Sequence, residues 1–198
     1  MYFRWQTFQP ANLPNPPPRA HANMFTMNMR FSGSDSAAGG SDSQVIIRSI
    51  EPRDAPAVTA LIQQLGYNRP EAEVLRWIED VGSVSHRQAA FVACLRDEVI
   101  GWIEVSIEHR LQSPPFALIG GLVVKDGVRG KGIGRSLCQT AESWSWDRGV
   151  STVRVTSRST RTDAHHFYLK DGYESVKVSQ VFEKRGRQGV DGEQNNKM

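Results

Sequence analysis

With 198 residues and a formal net charge of +3, the chain is long enough for one domain with a sizeable core. It is too evenly charged to present a general nucleic-acid surface. Lys125, Arg129, Lys131 and Arg135, set against the single Asp126, carry a net excess as large as that of the whole chain. The two cysteines, Cys94 and Cys138, form neither a disulfide framework nor a metal-ligand spacing. No apolar run is long enough to span a membrane. The N-terminus lacks the charged start, apolar core and cleavage site of a secretory signal, so the cytoplasm is the expected compartment.

Residues 1–43 are punctuated by Pro14, Pro16, Pro17 and Pro18, then by Gly33, Ser34, Gly39, Gly40 and Ser41. Trp5 and Phe8 fall outside any sustained period, and the segment reads as a disordered leader. Met24, Met27 and Met29 leave room for a later translation start. Order is expected from Gln44, where Val45, Ile46 and Ile47 make a short strand ending near Glu51 and Pro52. Pro52 at a first helical position, followed by Asp54, opens a helix with Val58, Leu61, Ile62 and Leu65 on one face, and Gly66 stops it. Pro70 starts a second helix, with Val74, Leu75 and Ile78 facing inward until Gly82.

Two strands, 89–95 and 98–107, are joined by the tight turn Arg96-Asp97 and read as a hairpin. In the second, Trp102, Glu104, Ser106 and Glu108 project to one side while Ile103, Val105 and Ile107 take the other. A polar loop through Ser113, Pro114 and Pro115 leads into a Val- and Ile-rich strand from Leu118. That strand runs through Leu122, Val123 and Val124 into a loop where Gly130, Gly132 and Gly134 alternate with Lys131 and Ile133. The glycines let an anion approach backbone N–H groups without Cβ atoms in the way. Ile133, Leu137, Ala141 and Trp144 recur at helical spacing directly behind, so the loop opens onto a helix N-terminus with its unpaired amides and positive dipole end. Arg129, Lys131 and Arg135 add mobile positive charge.

The spacing excludes two nucleotide motifs. A Walker loop needs Ser or Thr after Gly-Lys, whereas Gly132 follows Lys131, and a dinucleotide fingerprint needs a third glycine where Arg135 stands. Beyond Gly149, which marks a helix end, 152–156 reads as a fifth strand. Strands near 173–178 and 180–183 are expected to close the sheet, and 186–198 reads as a flexible tail.

Arg129, Gly130, Lys131, Gly132, Ile133 and Gly134, preceded by Leu122, Val123 and Val124, resemble the acyl-CoA signature of the GNAT N-acetyltransferase superfamily. A second stretch, Ala164, His165, Phe167, Tyr168, Gly172 and Tyr173, is similar to another pattern of that family, in the right order and one helix and one strand away. The resemblance spans residues 44–185. It implies an α/β (α+β) GNAT fold: a mixed, mostly antiparallel sheet of six to seven strands flanked by about four helices. It also implies acetyl-CoA as acyl donor, and it groups the chain with bacterial aminoglycoside-acetyltransferase-like enzymes.

On that resemblance the loop 129–135, including Arg135, holds the pyrophosphate, and main-chain groups of Leu122 and Val124 bond the pantetheine. Tyr168 is the general acid for the leaving thiolate, because a phenol of reference pKa about 10 remains protonated at neutral pH where a thiol near 8.5 titrates. Relatives carry a Glu just before Ile-Gly-Gly-Leu, where this chain has Leu118, so Glu104 on the neighbouring strand is the substitute base. His165 matches a position of structural type. Neighbouring helical residues point about 100° apart, so His165 and His166 do not make a metal pair, and no metal is expected.

The implied reaction is acetyl transfer to a primary amine of a small molecule by direct attack in a ternary complex, with no nucleic acid or membrane partner and with a homodimer allowed for. The alternatives are a non-catalytic acyl-CoA sensor or interaction module, and a protein or peptide acetyltransferase.

Overall fold

The computed structural model describes residues 27–29, 44–84 and 86–186. The chain divides into two compact units, one through Thr156 and one from Ser157. The first unit holds strands β1 (Met27–Met29), β2 (Val45–Ser49), β3 (Gln88–Leu95), β4 (Glu98–Arg110), β5 (Ser113–Val124) and β6 (Val153–Val155), with helices α1 (Ala55–Gln64), α2 (Glu71–Val84) and α3 (Ile133–Trp146). The second holds α4 (Thr162–Lys170).

The six strands pair in sequence order. Every pairing is antiparallel except β5 with β6, which is parallel and joins only Ala117, Leu118 and Ile119 to Val153, Arg154 and Val155. Antiparallel neighbours need only short turns, and two-residue connections close the hairpins: Arg96-Asp97, with Arg96 at φ 57°, and Leu111-Gln112, where Arg110 faces Ser113.

Alternation along the strands decides which helix covers which face. Val58 and Leu61 of α1 and Val74 and Ile78 of α2 share a buried cluster with Val92, Trp102 and Val123. One residue before Trp102, Gly101 turns the other way, and a Cβ built there would lie 3.3 Å from Leu137 of α3. Helices α1 and α2 therefore cover one face and α3 the opposite one. On α3, Ile133, Leu137, Cys138, Ala141 and Trp144 are all buried, and this is the periodicity expected of one apolar stripe. Burial of such side chains, about 1.5–3 kcal/mol each, holds the layers together.

The entry to α1 is fixed by charge. Arg48 on β2 grips the Asp54 carboxylate with two bonds of 2.7 and 2.8 Å, and the Glu51 N–H donates to the same carboxylate at 2.8 Å. Burial pushes the Asp54 carboxyl up, but the Arg48 and Glu51 hydrogen bonds outweigh it and leave the group below its ordinary range. The guanidinium of Arg48 is correspondingly raised by its bond to Asp54, against the opposing effect of burial.

Several boundaries differ from those read in the sequence. The stretch Ser113, Pro114 and Pro115 is the start of β5 and not a loop. Proline lacks an N–H but its fixed φ suits extended chain, and the ladder to β6 begins only at Ala117, so this end of β5 tolerates both prolines. Helix α2 runs past Gly82 to Val84. Met27–Met29, inside the segment read as a leader, pairs with 45–47; the rest of that segment, and the tail from 187, lie outside the described residues.

The two closing strands expected at 173–178 and 180–183 are absent: 173–186 carries no strand. A strand exists only where its amides find a ladder. Val176, Val178, Val181 and Phe182 stay exposed.

Candidate active site

At the middle of the β4–β5 hairpin the register slips by one residue. Glu104 faces Gly121, Val105 faces Ile119, and Gly120 is left over as a bulge. A bulge places two consecutive residues against one on the partner strand. A Cβ on Gly120 would lie 2.6 Å from Glu104 Oε1, and a Cβ on Gly121 would lie 2.5 Å from the Trp102 ring. The Trp102 ring thus leaves no room for a side chain at Gly121, and at Gly120 a Cβ would displace the end of the Glu104 side chain.

The bulge also resets which backbone groups of β5 face outward. Before it, the Ala117 N–H points to the β6 side and donates to the Thr152 carbonyl at 2.8 Å. After it, the Lys125 N–H points to β4 and donates to the Ile100 carbonyl at 2.8 Å. By alternation Val123 also faces β4, while Leu122 and Val124 face away from it. The ladder to β6 stops at Ile119, so among the described strands this outward edge of Leu122 and Val124 has no partner.

The Val124 carbonyl, however, is taken. Gln64 Nε2 donates to it at 2.9 Å and Arg129 Nε at 3.2 Å. Arg129 also pairs with Asp126 at 3.0 Å, so its guanidinium braces the turn that follows β5.

That turn leads into the glycine loop. Gly130 and Gly132 both have φ 79°, the left-handed region that an L side chain resists, and nothing lies within 4 Å of a Cβ built on either. Gly132 caps α3 without any side-chain bond, and its carbonyl receives the Ser136 N–H at 3.0 Å. The N–H groups of Ile133 and Gly134 stand in the first turn, where a helix has no internal partner for them and where an anion is favoured. Lys131 and Arg129 are exposed beside it.

Glu104 is half-buried on the face that α1 and α2 cover. Burial pushes its carboxyl above the ordinary glutamate range, against the Arg69 guanidinium, which draws it down. Arg69 in turn pairs with Glu73 at 3.2 Å. Further along β4, Glu108 accepts a 2.8 Å bond from the Ser106 hydroxyl.

In the second unit Tyr168 lies on α4, half-buried, with its ring edge-on to Phe167 at 5.1 Å and to Tyr173 at 5.5 Å. The Tyr173 N–H returns to the Tyr168 carbonyl at 3.0 Å, which fixes the two aromatics as a local pair. His165 has its Nε2 3.1 Å from the Arg158 carbonyl, a bond that braces the start of α4 in the tautomer protonated at Nε2. Among the described residues no three His, Cys, Asp or Glu side chains gather as metal ligands would, and no helix is long and apolar enough to cross a membrane.

The first unit thus places Glu104 on β4, Leu122 and Val124 on β5 and the 129–135 loop along one hairpin and its exit. Four residues have roles here that were not read from the sequence. Gln64 bonds across a separation of 60 residues. Gly120 and Gly121 were seen as part of a pattern, without the bulge that requires them. Trp102 was placed correctly on its face, and its role as the ring lying over Gly121 emerged only from the pairing register.

A strand edge left open beside a glycine loop at a helix start, in an α/β domain, has a shape and polarity suited to an extended, phosphate-bearing ligand. The acetyltransferase (GNAT) family profile matches residues 55–173, and the chain belongs to that family, whose members are acetyl-CoA-dependent N-acetyltransferases. An aminoglycoside N(6′)-acetyltransferase type 1 of Stenotrophomonas maltophilia is 29% identical over 139 residues, 66% of this chain and 86% of that protein. An aminoalkylphosphonate N-acetyltransferase of Salmonella typhimurium is 28% identical over 128 residues, 64% of this chain and 83% of that protein. Among solved structures, an aminoglycoside N-acetyltransferase in complex with CoA shares the fold with a TM-score of 0.68 at 20% identity, covering 75% of this chain and all of that one. An aminoglycoside 6′-N-acetyltransferase from Acinetobacter baumannii does so with a TM-score of 0.63 at 18% identity, covering 71% and 98%.

Proposed function

We propose that the protein transfers the acetyl group of acetyl-CoA to a primary amine of a small molecule, by direct attack in a ternary complex. The observation that carries this is the open edge of β5 at Leu122 and Val124 running straight into the glycine loop before α3. The edge offers the N–H and C=O of Leu122 and the N–H of Val124 to the amide-containing pantetheine arm. The amides of Ile133 and Gly134, with Arg129 and Lys131 beside Gly130 and Gly132, suit the pyrophosphate. The named activities of the two relatives, on an aminoglycoside and on an aminoalkylphosphonate, support a small acceptor bearing an amine.

In the reaction the amine nitrogen forms a bond to the thioester carbonyl carbon and the C–S bond breaks. One proton must leave the nitrogen and one must reach the sulfur. Glu104 takes the first role: its carboxylate lies over Gly120, one or two strand steps of about 3.3 Å from Leu122. Its raised pKa brings it closer to the pH at which it must accept a proton. Tyr168 supplies the second proton.

Thiol release measured with acetyl-CoA and a panel of amino sugars, aminophosphonates, polyamines and peptides tests the reading. Tyr168→Phe should lower turnover by about 10²-fold or more while leaving acetyl-CoA affinity within about twofold. Wild-type rates in that variant would remove Tyr168 from the chemistry. Saturable acetyl-CoA binding with no thiol release for any amine would favour a sensor.

A further inference from the structure

Gln64 is the last residue of α1, and its carboxamide makes two bonds to the exit of β5. Nε2 donates to the Val124 carbonyl at 2.9 Å, and Oε1 accepts from the Asp126 N–H at 3.0 Å. A carbonyl at one residue and an N–H two residues on are the groups that a neighbouring parallel strand engages with the N–H and C=O of a single residue. The side-chain amide of Gln64 therefore supplies the donor and the acceptor that such a residue would supply.

Arg129 Nε donates to the same carbonyl at 3.2 Å. A carbonyl oxygen has two lone pairs, and both are now used. Outward along the open edge, the groups without a partner among the described residues are the N–H and C=O of Leu122 and then the N–H of Val124; the Gln64 amide closes the edge there.

We propose that Gln64 is a positioning residue for the acyl donor: by occupying the Val124 carbonyl it ends the open edge at the Val124 N–H. It thereby fixes the register in which the pantetheine arm lies along β5 and the point where that arm leaves the strand for the glycine loop. The inference rests on the donor site described above. Register matters because the thioester carbon is carried at the end of the arm, and a slip along a strand moves it by a full repeat of the ladder. Glutamine suits the position because one group must donate and the other accept. Glutamate of equal length keeps the acceptor for Asp126 but sets a carboxylate oxygen against the Val124 carbonyl, and leucine keeps neither bond.

Calorimetric titrations with acetyl-CoA and with 3′-phospho-ADP, which has the pyrophosphate but no pantetheine arm, separate the strand from the loop. Gln64→Leu and Gln64→Glu should each raise the Kd for acetyl-CoA by about tenfold and leave that for 3′-phospho-ADP within about twofold. The unliganded melting temperature of Gln64→Glu, which retains the Asp126 bond, should stay within a few degrees of wild type. This variant carries the test if Gln64→Leu fails to fold. Unchanged acetyl-CoA affinity in both variants overturns the inference. Equal weakening of both ligands also overturns it, since Gln64 would then act through the loop alone. Failure of the wild-type protein to bind acetyl-CoA overturns the donor site itself, and a positive wild-type result with silent variants overturns only Gln64.

Discussion

Two glycine pairs belong to the donor site, one within β5 and one in the loop beyond it, and they are constrained in opposite ways. Gly120 and Gly121 have ordinary backbone angles but no room, because the Glu104 and Trp102 side chains lie 2.6 and 2.5 Å from where their Cβ atoms would be. Gly130 and Gly132 have ample room but a φ of 79°. The first pair is constrained by what lies on top of it and the second by the path of the chain. A glycine in a motif thus carries no single meaning, and each reason fails differently on substitution.

Gly121→Ala should be the most damaging change, because the obstacle is a buried indole, 5% exposed, with nowhere to go. Overpacking of about 1–3 kcal/mol is expected, read as a fall in melting temperature together with loss of thiol release. Gly132→Ala meets no obstacle and should cost about 1–2 kcal/mol of backbone strain, and Gly132→Asn should recover part of it because asparagine tolerates the left-handed region. Equal cost for Gly121→Ala and Gly132→Asn would break the distinction between the pairs. Gly120→Ala should be milder in stability than Gly121→Ala, since it meets the mobile end of Glu104, yet it should still depress turnover by displacing the carboxylate.

The smallest effect concerns Glu104 alone. Its folded pKa lies above its unfolded value, so the stability gained with the protonated form is complete below the unfolded pKa and lost as pH rises through the folded one. Glu104→Gln should therefore raise the melting temperature relative to wild type near about pH 8, and the gain should vanish near about pH 4. A gain independent of pH would mean that shape, and not charge, governs the site. The acid limb of the wild-type rate profile should likewise be absent from any residual activity of Glu104→Gln.

Local patterns were legible in the sequence, and long-range pairings were not. Val58 and Leu61 announce the buried face of α1 by their spacing, and the glycines of 130–134 announce a turn into α3, because both signals lie within a few residues. The alternation of Trp102 and Glu104 with Ile103 and Val105 was equally plain. The Gln64 bonds join residues 60 and 62 apart, and an isolated glutamine at a helix end gives no sign of them. Pro114 and Pro115 read as loop because proline opposes most strands; only the place where the β6 ladder begins shows why this end accepts them. The apolar residues of 176–182 suggested strands, yet strand formation depends on a partner edge that a one-dimensional pattern does not contain.

The bulge at Gly120 has a consequence for how this segment can change. A strand presents its groups by parity, odd positions one way and even positions the other. The extra residue is what hands the outward edge to Leu122 and Val124 in place of Gly121 and Val123. Flattening the bulge with every residue kept would exchange the two sets, turning Gly121 and Val123 outward and making Leu122 and Val124 rungs of the β4 ladder. Deleting Gly120 instead restores simple alternation and leaves Leu122 and Val124 outward, one strand step closer to Ala117.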